Sequence, residues 1–473
     1  MTSRRDFLRH TGLLTGGLVA GALAGPVAAA GTTRDPWLRA GQISAAVRAP
    51  WFAHRFFDVT GFGAVGDGVA DCSAAFGRAV RACAHAGGGH VVVPAGRFLT
   101  GPIRLRSGVD LHVTRGATIA FSQDPTRYLP AVFTRWEGTE LFNYAPLIYA
   151  FGQRNIGITG AGTLDGQADN EHWWPWKGNP DFGWRTGDPQ QAPARAALQA
   201  MAEQGVPVEQ RIFGDGGYLR PNFVQPYRCR NVLVEGVTIV NSPMWEIHPV
   251  LSSNVLVRGV TINTHGPNND GCNPESSQDV VIRGCTFDTG DDCIAIKSGR
   301  NADGRRVNVP SERILVEDCD FRAGHGGVTI GSEMSGGVRD VFARNLRMSS
   351  PNLDTALRFK TNSVRGGFIH DVHVRDVTVG TVAQAVLTID FFYEEGPGHG
   401  FNPDVRAIDV RDLTVDHAQR ALALRGYPDD PVHDVRLTQV DFRHTDAPSV
   451  VENVDGLVLH QVTENGQPVP STG

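Results

Sequence analysis

The sequence contains 473 residues, of which 44 are Lys or Arg and 50 are Asp or Glu. The net charge of −6 argues against proteins that hold nucleic acid on a basic face. Apolar residues make up 41% of the chain, which is enough for a large core and is atypical of disordered proteins. An acidic ligand stays compatible with this composition, because a local cluster of basic side chains would be sufficient to bind it.

The first thirty residues predict an export signal. Arg4 and Arg5 precede Phe7 and Leu8, and a Gly-rich uncharged stretch then ends in three alanines at residues 28–30. This order is typical of twin-arginine signal peptides. We expect residues 1–30 to be cleaved on export, which places the protein in the periplasm or outside the cell, without membrane contact after cleavage. A membrane anchor is the alternative, but the apolar stretch is short for a span.

A repeated pattern organises most of the remaining chain. The segments "NVLVEGVTI" from Asn231, "NVLVRGVTI" from Asn254 and "DVVIRGCTF" from Asp279 start 23 and 25 residues apart. Their alternation of apolar and polar residues predicts β-strands. Similar units begin at Asp110, Asn155, Arg313, Asp340, Asp371, Ala407 and Asp434.

The length of this unit selects the fold class. About two dozen residues are too few for a strand, a crossover helix and their loops. The Leu spacing of leucine-rich repeats is absent, and a propeller blade would need about 40 residues. The repeats therefore predict an all-β protein, a single-stranded parallel β-helix of about ten coils in which each coil stacks on the previous one.

The repeats also suggest the domain boundaries. We expect an N-terminal segment at residues 31–55, the β-helix at residues 56–465 and a tail at residues 466–473. The stretch "SAAFGRAVRACAHAGGG" after Cys72 predicts a helix that caps the N-terminal end of the solenoid. Residues from about 167 to about 225 break the repeat and are rich in Trp, as expected of a long insertion. Its Trp side chains fit equally a small core of their own or sugar stacking.

The seven cysteines give no sign of a metal or redox motif, because the sequence contains no C-x-x-C pair. Cys72 and Cys83 lie on the predicted helix, too far apart at about 1.5 Å per residue to form a disulfide. We therefore interpret the cysteines as small buried apolar side chains.

Three acids occupy turns that flank one of the repeated strands. Asp270 and Asp291 are 21 residues apart, which is about one coil, and Asp292 follows directly. Because stacked strands lie about 4.8 Å apart, we expect all three carboxyl groups to converge, with Gly290 allowing a bend that turns both members of the pair outward. Three close carboxylates repel, so at least one should hold a proton. Each Asp taken alone is also compatible with an ordinary turn residue.

Three cationic side chains follow in the next coils. His325 lies between two glycines, and Arg358 and Lys360 are two residues apart, so that they share one side of a strand. Two adjacent cations favour an anionic ligand such as a carboxylate. A hydrogen-bonded turn histidine and a solvated strand edge are the alternatives.

Four motifs together resemble glycoside hydrolase family 28, the polygalacturonase family of right-handed parallel β-helices. The motifs are Asn268-Asn269-Asp270, Gly290-Asp291-Asp292, Gly324-His325-Gly326 and Arg358-Phe359-Lys360. They occur in the family's order, and the similarity extends from about Phe57 to the last repeats. The family pattern has Thr and Ile where this chain has Asn269 and Phe359, which leaves substrate details open.

The resemblance implies a role for each motif residue. Asp291 would be the general acid, and Asp270 and Asp292 would hold and deprotonate the attacking water, with inversion at the anomeric carbon. His325 would support the acid, and Arg358 and Lys360 would bind a galacturonate carboxylate. Inverting hydrolysis typically separates acid and base by about 6.5–9.5 Å. We expect Trp245 and His248 to line the cleft, and count Asn268 and Lys297 among the substrate-binding residues; no metal or cofactor is implied.

The resemblance thus implies an enzyme that hydrolyses α-1,4-linked galacturonic acid in pectic poly- or oligosaccharides of plant cell walls. The similarity is greatest to bacterial exo-acting members, and the insertion together with "GRNADGRRVNVP" could close one end of the groove. The alternatives are a galacturonidase acting on rhamnogalacturonan oligosaccharides, a calcium-dependent pectate lyase and a non-catalytic glycan-binding β-helix.

Overall fold

The computed structural model describes residues 35–470, so the predicted signal at residues 1–30 lies outside the described residues. The α-helices span Trp37–Ala46, Ser73–His85, Ala192–Glu203 and Asn301–Val307. Short 3₁₀ segments occur at Val59–Phe62, Pro125–Tyr128, Trp174–Lys177, Pro180–Phe182 and Val208–Gln210. None of the helices among the described residues has the length and apolar character of a membrane span.

The strands form stacked windings, each of which contributes to parallel sheets on different sides of the solenoid. Sheet one contains Phe56–Asp58, Gly89–Val93, Val109–Val113, Arg154–Gly160, Arg230–Glu235, Ser253–Arg258, Gln278–Arg283, Ser311–Glu317, Val338–Met348, Phe368–Asp390, Asp404–Arg425, Val432–Phe442 and Val458–Glu464. Sheet two contains Asp67–Asp71, Gly96–Thr100, Ala117–Phe121, Thr163–Asp165, Thr238–Val240, Thr261–Thr264, Thr286–Thr289 and Asp320–Phe321.

Sheet three forms the side of the solenoid that carries the functional residues. Its strands are Ile103–Arg104, Ile148–Phe151, Val224–Tyr227, Ile294–Ile296, Gly324–Gly331, Leu353–Lys360 and Val450–Glu452. The longer strands from Val338 onward bend around the corners and pair in more than one sheet. Val132–Trp136 and Thr139–Asn143 form a separate antiparallel hairpin. At the C-terminal end of sheet one, Val454–Asp455 pairs with Val432–Phe442, and Gln467–Pro468 pairs antiparallel with Val458–Glu464.

The parallel β-helix predicted from the repeats is confirmed, and register explains the repeat. Val232, Val255, Val280, Ile314 and Val341 pair in sequence across five windings and are all buried. Equivalent apolar positions therefore stack into a continuous core. Fully burying an aliphatic side chain is worth about 1.5–3 kcal/mol, so the alternation in each repeat supplies the stabilisation of the stack.

The backbone conformation explains why each of these repeats starts with Asn or Asp. Asn231, Asn254 and Asp279 have φ angles of 59°, 53° and 57°, in the left-handed region that Asn and Asp tolerate better than other non-Gly residues. The Asn231 amide donates to Asn155 Oδ1 at 2.7 Å, and the Asn254 amide donates to Asn231 Oδ1 at 2.8 Å. The first residue of the repeat thus turns the chain and links neighbouring windings.

The solenoid is longer than predicted. Sheet one has thirteen strands within the described residues rather than about ten. The entry strand Phe56–Asp58 was expected from the segment that starts at Phe57, whereas Gly89–Val93 and Val458–Glu464 were missed. These two segments lack the Asn- or Asp-initiated pattern of the repeats and belong to the windings near the two ends of the solenoid.

Two helices cover apolar parts of the solenoid. Ser73–His85, which was predicted, packs Phe76, Ala79 and Val80 onto the core of the first windings. Trp37–Ala46, which was not predicted, crosses the outer side of sheet one. There its buried side chains form a cluster with Leu233, Leu256, Val281, Leu315 and Phe342.

The cysteines agree with their interpretation as core side chains. All seven are free and buried within the described residues. Burial raises the pKa of the Cys83 and Cys229 thiols to about 11, which keeps them protonated and unreactive near neutral pH.

Candidate active site

The windings bring the three predicted acids to one corner, between the ends of sheet two strands and the starts of sheet three strands. Asp270 follows Thr261–Thr264, and Asp291 and Asp292 follow Thr286–Thr289. The Gly271 amide donates to the Asp292 carbonyl at 3.0 Å, so Asp270 and Asp292 lie one above the other. One carboxylate oxygen from each of the three acids lies within 4.8 Å of the others. This cluster is called the Asp triad below.

Gly290 has a different role from the one expected. It does not have a positive φ, and a Cβ there would lie 2.4 Å from the Gly266 carbonyl oxygen. Gly290 is therefore required because the previous winding passes close to it. The chain bends at Gly290 as expected, but the expectation that this bend turns both acids outward is wrong. The Asp291 side chain keeps 16% of its surface exposed and that of Asp292 only 1%, so only Asp291 turns toward solvent.

Asp292 is held by the two cations that follow it in the chain. Lys360 Nζ donates to Asp292 Oδ2 at 2.7 Å, and Arg358 donates to Asp292 Oδ1 at 3.3 Å. Burial alone would raise the pKa of Asp292, but the charges of Lys360 and Arg358 outweigh it and lower the pKa below its usual value. Asp292 is therefore a carboxylate at neutral pH.

Asp291 is paired with the histidine of the next winding. His325 Nδ1 lies 3.1 Å from Asp291 Oδ1. Although burial acts against it, the hydrogen bond and charge of His325, together with the charge of Lys360, hold the pKa of Asp291 well below its usual range. The hydrogen bond to Asp291 and the negative charge of that carboxylate raise the pKa of His325 to about 9. The resting pair is an imidazolium and a carboxylate.

Asp270 carries the proton of the triad. Burial and the nearby charge of Asp291 raise its pKa well above the usual value, and Lys297, whose Nζ lies 3.8 Å away, only partly offsets this. Like charges this close cannot all be ionised. The expectation that one acid holds a proton is thus met by Asp270. The nearest carboxylate oxygens of the triad are closer together than the about 6.5–9.5 Å typical of the two carboxyl groups of inverting enzymes.

The triad opens into a polar pocket of about 240 Å³, called the triad pocket here. Its lining residues are Glu137, Lys177, Arg195, Trp245, Asn268, Asp270, Asp291, Asp292, Lys297, His325, Ser332, Glu333, Lys360, Tyr393 and Glu394. A second, open depression of about 680 Å³ adjoins it and shares His325; Arg322 and Asp288 are among its lining residues. We call this depression the outer groove.

Ion pairs between distant segments build one wall of the triad pocket. Arg195 donates to Glu137 Oε2 at 2.6 Å, and the buried Arg300 lies 3.4 Å from Glu333 and 3.4 Å from Glu394. Gly138 makes this contact possible, because a Cβ there would lie 2.7 Å from the Arg300 amide nitrogen. The hairpin, the insertion helix and the Arg300 segment are thereby joined into a continuous barrier.

Lys297, Trp245 and Asn268 line the pocket as predicted, but His248 does not. Lys297 Nζ lies 2.9 Å from Glu333 and 4.6 Å above the Trp245 ring, and the Asn268 amide lies 3.4 Å from Asp291. His248 is fully buried, with Nε2 2.7 Å from Glu275 Oε2. The expectation that His248 lines the cleft is therefore wrong, since its ring lies in a buried layer behind the Trp245 side chain.

The two positions that depart from the family motifs lie away from the pocket. Asn269 is fully buried, accepts from the Gly266 amide at 2.7 Å and donates to the Ser242 carbonyl at 3.0 Å, so it fixes the turn before Asp270. Phe359 is 1% exposed and packs in the solenoid core. Neither departure changes a side chain that faces the pocket.

The insertion contributes charges to the site and aromatic rings mainly to its own packing. Trp173 is buried and packs edge-on against Tyr128 and Trp176, which favours the private core over sugar stacking for these rings. Lys177 and Arg195 instead face the triad pocket. The Lys177 Nζ donates to Asn268 Oδ1 at 3.0 Å.

Several pocket residues were missed by the sequence analysis. Glu137 and Arg195 come from the hairpin and the insertion, whose paths no periodic pattern specifies. Glu333 and Tyr393 follow strands of sheet three shortly after Gly331 and Asp390, which pair with Lys360. Both residues lie just past the strand ends, one winding from the segment that follows Lys360, so the same spacing that groups the Asp triad also indicates their position.

Comparisons with known proteins agree with this geometry. The sequence profile of glycosyl hydrolases family 28 matches residues 213–457, slightly more than half of the chain and the whole Asp triad. A second profile, rhamnogalacturonase A/epimerase, pectate lyase-like, matches residues 56–112, which lie outside the triad.

Individual relatives extend the similarity over most of the chain. A probable polygalacturonase from Vitis vinifera is 30% identical over 396 residues, covering 80% of this chain and 72% of the relative. An exo-poly-alpha-D-galacturonosidase from Dickeya chrysanthemi is 27% identical, covering 76% and 63%. The crystal structure of a hyperthermoactive exopolygalacturonase from Thermotoga maritima is 49% identical, with a TM-score of 0.89 and coverage of 91% and 96%.

These matches settle the fold class and the family. The Thermotoga structure confirms the predicted right-handed parallel β-helix. The family profile covers the corner where the Asp triad, His325 and the Arg358–Lys360 pair meet. The chain is a glycoside hydrolase and belongs to glycosyl hydrolases family 28.

Proposed function

We propose that the protein hydrolyses the α-1,4 linkages of pectic galacturonan and removes galacturonic acid from a chain end. The observation that carries this proposal is the contact of Lys360 and Arg358 with Asp292, which places two cations beside the catalytic carboxylates. A uronic acid carries a carboxylate on each sugar ring, and Arg and Lys are the side chains that bind carboxylates. Similarity to the Vitis polygalacturonase, the Dickeya exo-poly-alpha-D-galacturonosidase and the Thermotoga exopolygalacturonase supports this substrate class.

The shape of the site favours exo action. The triad pocket, at about 240 Å³, is smaller than the about 300–1,000 Å³ of common ligand clefts. The Glu137–Arg195 pair and Arg300 close one side of it, whereas the outer groove is open and meets it at His325. A chain lying in the outer groove would place its last sugar in the triad pocket and the scissile bond above Asp291.

The ionisation states of the three acids suggest which step of the reaction each acid carries out. Asp292 is a carboxylate and is the general base that takes a proton from water as the water oxygen attacks the anomeric carbon. Asp270, which holds its proton at rest, hydrogen-bonds and positions that water. Asp291, the acid nearest to solvent, protonates the glycosidic oxygen as its bond to the anomeric carbon breaks.

Substrate binding would prepare Asp291 for this role. In the resting site its pKa is low because His325 and Lys360 stabilise its charge. A substrate carboxylate bound by Lys360 and Arg358 neutralises part of that field and raises the pKa of Asp291. The His325 imidazolium, 3.1 Å away, is the adjacent proton donor.

The arrangement fits hydrolysis better than calcium-dependent elimination. Each triad acid already has a cationic partner: Lys297 for Asp270, His325 for Asp291 and Lys360 for Asp292. A calcium site needs six to eight oxygen ligands around a cavity without competing cations. A surface that only binds glycans does not need a protonated acid beside carboxylates. The protonated Asp270 next to Asp291 and Asp292 therefore also favours hydrolysis over binding alone.

We also infer that the protein is exported by the twin-arginine route and acts outside the cytoplasm on cell-wall polysaccharide. The support is the Arg4-Arg5 pair followed by a short apolar stretch. Replacing both arginines by lysine should retain the unprocessed protein in the cytoplasm. Normal export of that variant would contradict the inference.

A product time course tests the proposed activity. We expect wild-type protein incubated with polygalacturonate to release monomer from the first time point, and Asp291→Asn to bind substrate but turn over about 10²–10⁴-fold more slowly. Asp320→Asn, an exposed acid on sheet two, is the matched control and should keep full activity. Early oligomers of intermediate length would contradict exo action, and release only from rhamnogalacturonan oligosaccharides would favour the galacturonidase alternative.

A further inference from the structure

A second group of potential metal ligands lies on the C-terminal windings. His417, His444 and Asp446 each offer one ligand atom, and these atoms lie within 4.8 Å of one another. The His417 Nε2 lies 3.2 Å from Asp446 Oδ1, and the His444 Nε2 lies 3.3 Å from the same oxygen. The side chains are 41%, 63% and 51% exposed, so solvent ions can reach them.

The backbone fixes the positions of these three residues. The Ala418 amide donates to the His444 carbonyl at 3.1 Å, and the Asp446 amide donates to the Gln419 carbonyl at 3.1 Å. The imidazole rings of His417 and His444 are stacked, with centroids 5.2 Å apart and planes 20° apart. Ligands carried by stacked windings are thus held together before any ion arrives, which lowers the cost of assembling a site.

The distances fit a tetrahedral ion. Zinc binds His nitrogen at about 2.0–2.1 Å and carboxylate oxygen at about 2.0–2.2 Å, so two of its ligands lie about 3.3–3.5 Å apart. The observed separations of 3.2 and 3.3 Å are close to this value. Two imidazoles and one carboxylate are a donor set that suits zinc and disfavours Mg²⁺ and Ca²⁺, which prefer oxygen ligands alone.

We propose that His417, His444 and Asp446 bind a Zn²⁺ ion, with solvent at its fourth position, which links the windings carrying residues 417 and 444. The Asp triad is unlike this cluster, because its acids are paired with Lys297, His325 and Lys360. The zinc site therefore serves stability at the C-terminal end of the solenoid and takes no part in hydrolysis. An ion bound only by the folded protein raises its melting temperature.

Titration of ZnCl₂ into the full mature chain, followed by calorimetry and thermal melting, tests the proposal. We expect saturable binding of one ion and a higher melting temperature with zinc, whereas MgCl₂ should have neither effect. His444→Gln should weaken binding by about tenfold or more and abolish the thermal shift. His460→Gln, an exposed histidine outside the cluster, is the matched control and should behave as wild type.

Both variants change exposed side chains, so unaltered melting without zinc would show that they fold normally. Equal zinc affinity of wild type and His444→Gln would overturn the proposal, as would the lack of saturable binding by wild type. Turnover of polygalacturonate should be the same in wild type and His444→Gln, so failure of the zinc proposal and failure of the proposed hydrolysis are separate outcomes.

Discussion

Nδ1 of His325 lies 3.1 Å from Oδ1 of Asp291, although the two residues are 34 positions apart in the chain. The pair joins two successive windings at the only triad acid whose side chain is appreciably exposed among the described residues. Its charge state sets both the acidity of Asp291 and the pH range in which the site can work.

The pH dependence of catalysis should therefore report on His325. Its pKa of about 9 means that the imidazolium is lost above that pH, so kcat/KM should fall there. His325→Gln removes the imidazolium that titrates near pH 9, so the basic limb of the profile, which reports the loss of protons from the His325–Asp291 pair, should move away from that pH. The measurement is kcat/KM from pH 3 to pH 10, and superimposable limbs in the two proteins would refute the assignment.

The same pair should make folding pH-dependent. Because the folded pKa of His325 is raised above 6.5, its stabilising contribution is complete below about pH 6.5 and is lost as the pH rises through about 9. Melting temperatures of wild type should drop relative to His325→Gln between these values. A constant difference between the two proteins across this range would argue against the ion pair.

Substrate recognition should depend on Arg358. Arg358→Ala should raise KM for polygalacturonate by about tenfold, since one charge-assisted contact to a carboxylate is worth about 1.5–3 kcal/mol. Arg347→Ala, on the exposed side of sheet two, is the control. The effect should disappear on substrate whose carboxyl groups are methyl esters. An equal loss on both substrates would assign Arg358 to structure instead of recognition.

The stereochemistry of the first product distinguishes inverting from retaining glycosidases. The triad places Asp270 and Asp292 side by side, where both can contact one water molecule, so we expect the first product to be the β-anomer despite the short separation. Proton NMR during the first turnovers measures this directly. Initial α-galacturonate would show that one of the acids acts as a nucleophile, as in retaining enzymes.

The wall of the triad pocket should contribute to stability as well as to shape. Arg300 is 4% exposed and lies near Glu333, Glu394 and Glu137, so Arg300→Ala removes a buried cation from this network, although Lys297 and Arg195 still pair with Glu333 and Glu137. Because these carboxylates keep one partner each, the loss should stay below the about 3–5 kcal/mol of a fully broken buried pair. Chemical denaturation measures the loss, and a change below about 1 kcal/mol, typical of exposed pairs, would contradict the buried network.

The fold could be predicted where the backbone preference of a residue type coincides with the period of the repeat. Asn231, Asn254 and Asp279 mark windings because each adopts a positive φ that few residue types accept, and this requirement is visible in one sequence. Gly89–Val93 and Val458–Glu464, near the two ends of the solenoid, were missed because they lack the Asn- or Asp-initiated pattern. Helix Trp37–Ala46 was missed because its partners lie about 200 to 300 residues further along the chain.

The residues of the candidate site likewise fall into those that the sequence predicts and those that it does not. Asp270, Asp291 and Asp292 could be placed together because one winding of the solenoid separates them. Glu137 and Arg195 could not, because the hairpin and the insertion reach the pocket by paths that no repeat constrains. The sequence predicts that one acid of the triad holds a proton, because three close carboxylates repel one another. It does not show that Asp270 is this acid, because the positions of His325 and Lys360, which stabilise the charge of Asp291, are known only from the fold.

The helix at Trp37–Ala46 has a consequence for the order of assembly. It is among the first parts of the mature chain to leave the ribosome, yet the side chains that receive it end with Phe342, roughly three quarters of the way along the sequence. It can dock only after those later segments have been synthesised and stacked. A segment that is synthesised early is therefore among the last to pack, and until then an apolar strip spanning five windings stays exposed to aggregation or to chaperones.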